Sequence, residues 1–132
     1  MCPHGSRDAT DKMVEQAIEQ GFEIYSITEH APLPEGLLKN ETLQKELTLQ
    51  QDEMDSYFAH VKQLKVKYAD HIQIRIGLEI DYLADHVDYT KNIIANYSDQ
   101  LDDIVLSIHL MEGLNGIQCM DFTPEDFENG LI

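Results

Sequence analysis

Positive charge is scarce in this sequence. Nine Lys and Arg stand against 25 Asp and Glu in 132 residues, a formal net charge of −16. A field of that sign repels nucleic-acid backbones and argues against non-specific DNA or RNA binding. It repels phosphate esters as well, so a phosphate substrate requires bound cations to offset the charge locally. Cysteine is scarce too: Cys2 and Cys119 make no disulfide framework. With no signal-peptide pattern at the start, a reducing cytoplasm is the expected compartment. No apolar run approaches the length of a membrane span. The 42% of hydrophobic residues is nevertheless enough for one packed domain and too much for a disordered chain.

Along the chain, helical and strand patterns alternate. A loop over residues 1–6 precedes a helix that starts between Ser6 and Thr10 and carries an apolar stripe of Ala9, Met13, Val14, Ala17 and Ile18. Gly21 is its expected C-cap. The segment Glu23 to Thr28 is rich in β-formers, and Pro32 and Pro34 forbid regular pairing beyond it. Residues 37–51 read as loop or short helix. A second amphipathic helix is expected over residues 52–69, from Met54, Tyr57, Phe58, Val61, Leu64 and Tyr68. Ile72 to Glu79 alternates as a strand, Val87 to Tyr97 as a third helix, and Asp103 to His109 as a third strand. Met111 to Asp121 reads as loop. Thr123 and Pro124 then mark a helix start.

That order is a run of βα units, which implies α/β architecture with about three parallel strands. In such a sheet the carboxyl ends of the strands share one edge. His30 follows the first strand, Glu79 ends the second and His109 ends the third, so these three converge although far apart in sequence. His4, in a loop before a helix, falls on the same edge. Histidines and a carboxylate are the ligands a transition-metal hydrolase uses. Blander roles stand beside these. His4 can be a terminal loop histidine, Glu79 a partner of Arg75, and His109 a core histidine satisfied by backbone. His60, His71 and His86 are expected in solvent, and both cysteines are expected to be inert thiols.

Four segments carry a resemblance. Cys2-Pro3-His4-Gly5-Ser6, Thr28-Glu29-His30-Ala31-Pro32-Leu33-Pro34, Gly77-Leu78-Glu79-Ile80-Asp81-Tyr82 and Leu106-Ser107-Ile108-His109 resemble, in order and separation, motifs of the histidinol-phosphatase branch of the PHP (polymerase and histidinol phosphatase) superfamily. The resemblance implies part of a distorted (β/α)7 PHP-type barrel and hydrolysis of L-histidinol phosphate, a small-molecule phosphate of histidine biosynthesis. It implies two or three divalent transition-metal ions (zinc, manganese or iron) in a complete enzyme. His4, His30, Glu79 and His109 would be metal ligands, with Glu79 the bridge and Glu79 and His109 the catalytic residues. The family's opening strand with His-x-His, its later His, its Asp-x-His and its basic phosphate-holding residues have no counterpart here. Residues 1–132 therefore read as a partial PHP domain, inactive alone and prone to self-association. The alternatives are another PHP-type phosphoesterase, or a non-catalytic remnant or subunit that needs a partner.

Overall fold

Isoleucine and leucine at alternate positions decide which way the central strand faces. A computed structural model describes residues 7–113, 116–119, 124, 125 and 128. In it, β1 (Ile24–His30), β2 (Gln73–Asp81) and β3 (Asp103–Ser107) form one parallel sheet in the order β1-β2-β3. Side chains alternate across a strand. Ile74, Ile76, Leu78 and Ile80 of β2 therefore share one face, and all are buried. Ile27 of β1 is paired with Ile76 and joins them.

Three helices supply the rest of that core. α1 (Arg7–Glu19) contributes Val14 and Ala17. It ends as expected at Gly21, whose φ of 79° places it in the left-handed region. The Gly21 amide donates to Ile18 O and the Phe22 amide to Ala17 O, a Schellman pair that satisfies two terminal carbonyls. After β1, α2 (Glu41–Leu47) resolves the ambiguous segment as a short helix, with Asn40 as N-cap accepting from the Leu43 amide. A 3-10 turn (Gln51–Glu53) leads into α3 (Met54–Lys67), which buries Met54, Tyr57, Phe58, Val61 and Leu64 against the sheet. After β2 and a 3-10 turn (Ala84–His86), α4 (Val87–Tyr97) adds Ile93. None of the described helices is long and apolar enough to cross a membrane.

The opposite face of the sheet is polar. The register places Ser26, Thr28 and His30 beside Arg75, Gly77 and Glu79. Gly77, Glu79 and Asp81 lie in turn beside Asp103, Val105 and Ser107. Gly77 is required there by close approach: a Cβ on it would come within 2.6 Å of Thr28 Cγ2 and 3.2 Å of Asp103 O and Ile27 O.

Five expectations are corrected. β1 runs on to His30 and β2 to Asp81, so Glu79 lies one full period before the end of its strand. β3 stops at Ser107, leaving His109 beyond it. The segment expected as loop after Met111 holds an antiparallel pair, β4 (Leu110–Gly113) with β5 (Gly116–Cys119). Leu110 ties this pair to Leu38 and Leu83 in a second apolar cluster that includes Ile117 and Cys119. His60 is half-buried, not solvated, and its Nε2 is enclosed without a hydrogen-bond partner among the described residues. The helix start expected at Thr123 lies outside them.

β3 differs from β1 and β2. Among the described residues it pairs on one side only, and Ile104, Val105 and Leu106 are all exposed, Leu106 by 59%. Ile108, just past it, is 63% exposed. A continuous apolar run in a parallel strand is the pattern of a strand covered on both faces.

Candidate metal centre

The polar face ends in two carboxylates and two imidazoles. β2 delivers both carboxylates, because Glu79 and Asp81 are two residues apart and so point the same way. His30 closes β1 opposite Glu79 in the register. His109 arrives from the short link between β3 and β4. The rings of His30 and His109 lie 5.1 Å apart, edge to face at 62°.

Each carboxylate reaches both rings. Asp81 Oδ1 lies 3.0 Å from His109 Nδ1, and Asp81 Oδ2 lies 3.5 Å from His30 Nδ1. Glu79 Oε1 lies 3.4 Å from His109 Nε2, and Glu79 Oε2 lies 3.7 Å from His30 Nε2. Ser107 Oγ donates to Asp81 Oδ1 at 3.4 Å. The Asp81 side chain is only 4% exposed, against 22% for Glu79. The hydrogen bond with Asp81 is the largest influence on His30 and holds its pKa above the usual histidine value, against burial. Burial by itself pushes the Asp81 carboxyl up. The hydrogen bond from His30 and the charges of His30 and His109 outweigh it, so the net displacement is downward.

The structure therefore brings together His30, Glu79 and His109, and adds Asp81, which sequence reasoning left out. His4 lies outside the described residues. Arg75 does not engage Glu79; its Nε pairs with Asp103 Oδ2 at 3.0 Å and its Nη2 donates to Asp102 O. A nitrogen and oxygen donor set of this kind fits zinc, manganese or iron. One atom each from His30, Asp81 and His109 lies within 4.8 Å of the others, and the two Nε2 atoms with Glu79 offer a second grouping. A cavity of 440 Å³ opens onto the cluster, lined also by Thr10, Thr28, Leu33, Thr48 and Cys119.

A parallel α/β domain with imidazoles and carboxylates gathered at one edge of its sheet is the class that fold and site define. The chain belongs to the PHP domain family, which it matches over residues 1–129. It is 35% identical over 127 residues to histidinol-phosphatase from Bacillus subtilis (strain 168), covering 96% of this chain and 47% of that protein. Histidinol-phosphatase from Saccharomyces cerevisiae is 27% identical over 140 residues, covering 97% of this chain and 40% of that one. A crystal structure from Listeria monocytogenes, provisionally named a histidinol phosphatase, matches with a TM-score of 0.87 at 38% identity. That match covers 98% of this chain and 49% of the Listeria chain. The chain thus spans about half the length of the curated relatives it matches.

Proposed function

We propose that this chain is part of a metal-dependent phosphomonoester hydrolase that converts L-histidinol phosphate to L-histidinol and phosphate in histidine biosynthesis, in the cytoplasm. The observation that carries this reading is the four-residue cluster of His30, Glu79, Asp81 and His109 facing a cavity, in a chain similar to histidinol-phosphatases over nearly its whole length. His30, Glu79 and His109 would hold divalent zinc, manganese or iron, with His4 as a further ligand and two or three ions in the complete centre. Such an ion supplies positive charge for the phosphate oxygens and acidifies a bound water.

The chain's own residues do the rest. Rigid strand ends fix the donors, so little reorganisation is needed when a ligand enters. Glu79 offers two oxygens on the histidine Nε2 side, which suits it to bridge two cations. Leu33, Leu47 and Leu110 line the cavity and limit water around the charged groups. The net charge of −16 opposes a phosphate ester until cations are bound, which makes ion binding a precondition for substrate binding.

Residues 1–132 form, in this reading, a partial PHP domain. The exposed apolar run of β3 and the twofold length of the relatives support it. Further polypeptide would cover β3 and complete the ligand set, and a chain without it self-associates. The test is phosphate release from L-histidinol phosphate with added manganese or zinc, measured on this chain alone and on the chain joined to the remaining half of a relative. The joined protein is expected to turn over and the chain alone to stay near background. A joined protein that folds, binds metal and leaves histidinol phosphate untouched while hydrolysing other phosphate esters favours a different phosphoesterase.

A further inference from the structure

Asp81 and Glu79 approach the same two histidines from opposite ring nitrogens. Asp81 meets Nδ1 of both, at 3.0 Å on His109 and 3.5 Å on His30. Glu79 meets Nε2 of both, at 3.4 Å and 3.7 Å. A neutral imidazole carries one N–H, and an ionised carboxylate can only accept. Of these two carboxylates, only one can receive the proton of a given neutral ring.

Burial decides the choice. The Asp81 side chain is 4% exposed and the Glu79 side chain 22%. A buried carboxylate left without donors costs more than one that water can still reach. Ser107 alone, at 3.4 Å, is a weak donor to Asp81. The N–H of each ring therefore belongs on Nδ1, facing Asp81. Both Nε2 lone pairs then face the Glu79 oxygens, acceptors against acceptors, an arrangement that a cation between them would satisfy. Resting on the metal-centre reading above, we propose that Asp81 is a positioning residue: it locks His30 and His109 in the Nδ1–H tautomer and so directs both Nε2 atoms, with the Glu79 carboxylate, at the metal. Asp81 is thus not itself a ligand, although it is near enough to both histidines to look like one. Metal-bound histidines commonly donate their other ring N–H to a carboxylate in this way, and loss of such a partner typically weakens metal binding about 10–100-fold.

Two measurements on the purified protein test this. In metal-free protein with ¹⁵N-labelled histidine, at a pH of ~9.5, well above the ordinary histidine value, side-chain correlation spectra are expected to show His30 and His109 as Nδ1–H. The two signals are assigned by their absence from His30→Gln and His109→Gln. In Asp81→Ala both rings are expected to leave that tautomer; Asp81→Leu, which fills the space and offers no acceptor, stands in if the alanine variant does not fold. Cobalt(II) titration followed by its visible absorption is the second readout. Asp81→Asn is expected to bind as many ions as the unmodified protein, with an unchanged band pattern and affinity lower by about 10–100-fold. Glu79→Gln is expected to lose at least one ion. Nε2–H rings in the unmodified protein, or an Asp81→Asn variant that loses a cobalt ion as Glu79→Gln does, overturn the proposal. If the unmodified protein takes up no cobalt, the metal-centre reading falls, while the tautomer spectra still decide whether Asp81 orients the rings.

Discussion

Thr28 and Gly77 lie side by side in the β1–β2 register, and the methyl of one occupies the space a side chain would need on the other. The contact sits two register positions before His30 and Glu79, on the same face, so it sets how closely β1 approaches β2 just beneath the cluster. Core packing and site geometry are joined at this point.

Gly77→Ala is therefore expected to destabilise the fold. The added Cβ would lie 2.6 Å from Thr28 Cγ2 and 3.2 Å from two backbone oxygens. The side chain can shift, but the ladder carbonyls can move little. A loss of about 1–3 kcal/mol is the range for such overpacking, read as a lowered urea midpoint with unchanged slope. Thr28→Ser removes the methyl and, combined with Gly77→Ala, recovers part of the loss. An unchanged midpoint in the single variant refutes the packing account.

Much of the site was legible because strand ends are. His30, Glu79 and His109 each follow a run of β-formers, and parallel order alone puts such positions on one edge. Asp81 was missed because β2 was ended at Glu79. The signal was present: Arg75, Gly77, Glu79 and Asp81 continue one period-2 series, with Ile74, Ile76, Leu78 and Ile80 as its apolar complement. The pair β4–β5 was hidden by Gly113 and Gly116, which read as loop residues but pair with each other in the antiparallel ladder. α2 is only seven residues long and buries none of them, so it lacks the apolar stripe by which a helix announces itself.

Tyr57 supplies a pH-dependent prediction away from the site. Its buried hydroxyl lies 2.6 Å from Gly77 O and 2.9 Å from Ile27 O, and donates its one hydrogen to this carbonyl pair of adjacent strands. Burial pushes its pKa well above the ordinary tyrosine value of 10.0. A raised folded-state value contributes stability that is fully present below the unfolded value and is lost as pH rises beyond it. Tyr57→Phe is expected to cost about 1–2 kcal/mol at neutral pH. The gap between the two proteins should narrow above pH ~10. Urea unfolding at pH values on both sides of ~10 checks this; a gap that does not narrow removes Tyr57 as its source.

The open strand β3 predicts behaviour in solution. Leu106 and Ile108 expose most of their apolar surface beside an edge that is unpaired among the described residues, the arrangement that invites association of strands. The isolated 132-residue chain is expected to grow in apparent size with concentration in size-exclusion chromatography. Leu106→Lys is expected to suppress that growth without moving the unfolding midpoint by more than about 0.5 kcal/mol, as for other surface changes. A monomer at all concentrations, with cooperative unfolding, shows that the strand needs no cover.

Glu79→Gln in a protein with a complete ligand set tests the centre itself. The substitution keeps size and shape and removes one negative charge. If Glu79 bridges two cations, that charge offsets their mutual repulsion, and its loss expels at least one of them. Activity then falls by several orders of magnitude, the scale expected when the ion that generates the nucleophile is lost. If Glu79 does no more than pair with His30 and His109, the same change costs about 0–1 kcal/mol of stability and leaves turnover intact. Asp85 is the control. It is exposed in the 3-10 turn before α4, and Asp85→Asn removes the same charge from the chain as a whole. Any fall common to both variants reflects net charge; a fall confined to Glu79→Gln reflects the site. Metal content by mass spectrometry, measured with the rate, separates the outcomes. A Glu79→Gln protein with its full metal complement and normal turnover removes Glu79 from the centre and leaves Asp81 as the carboxylate to be tested as ligand.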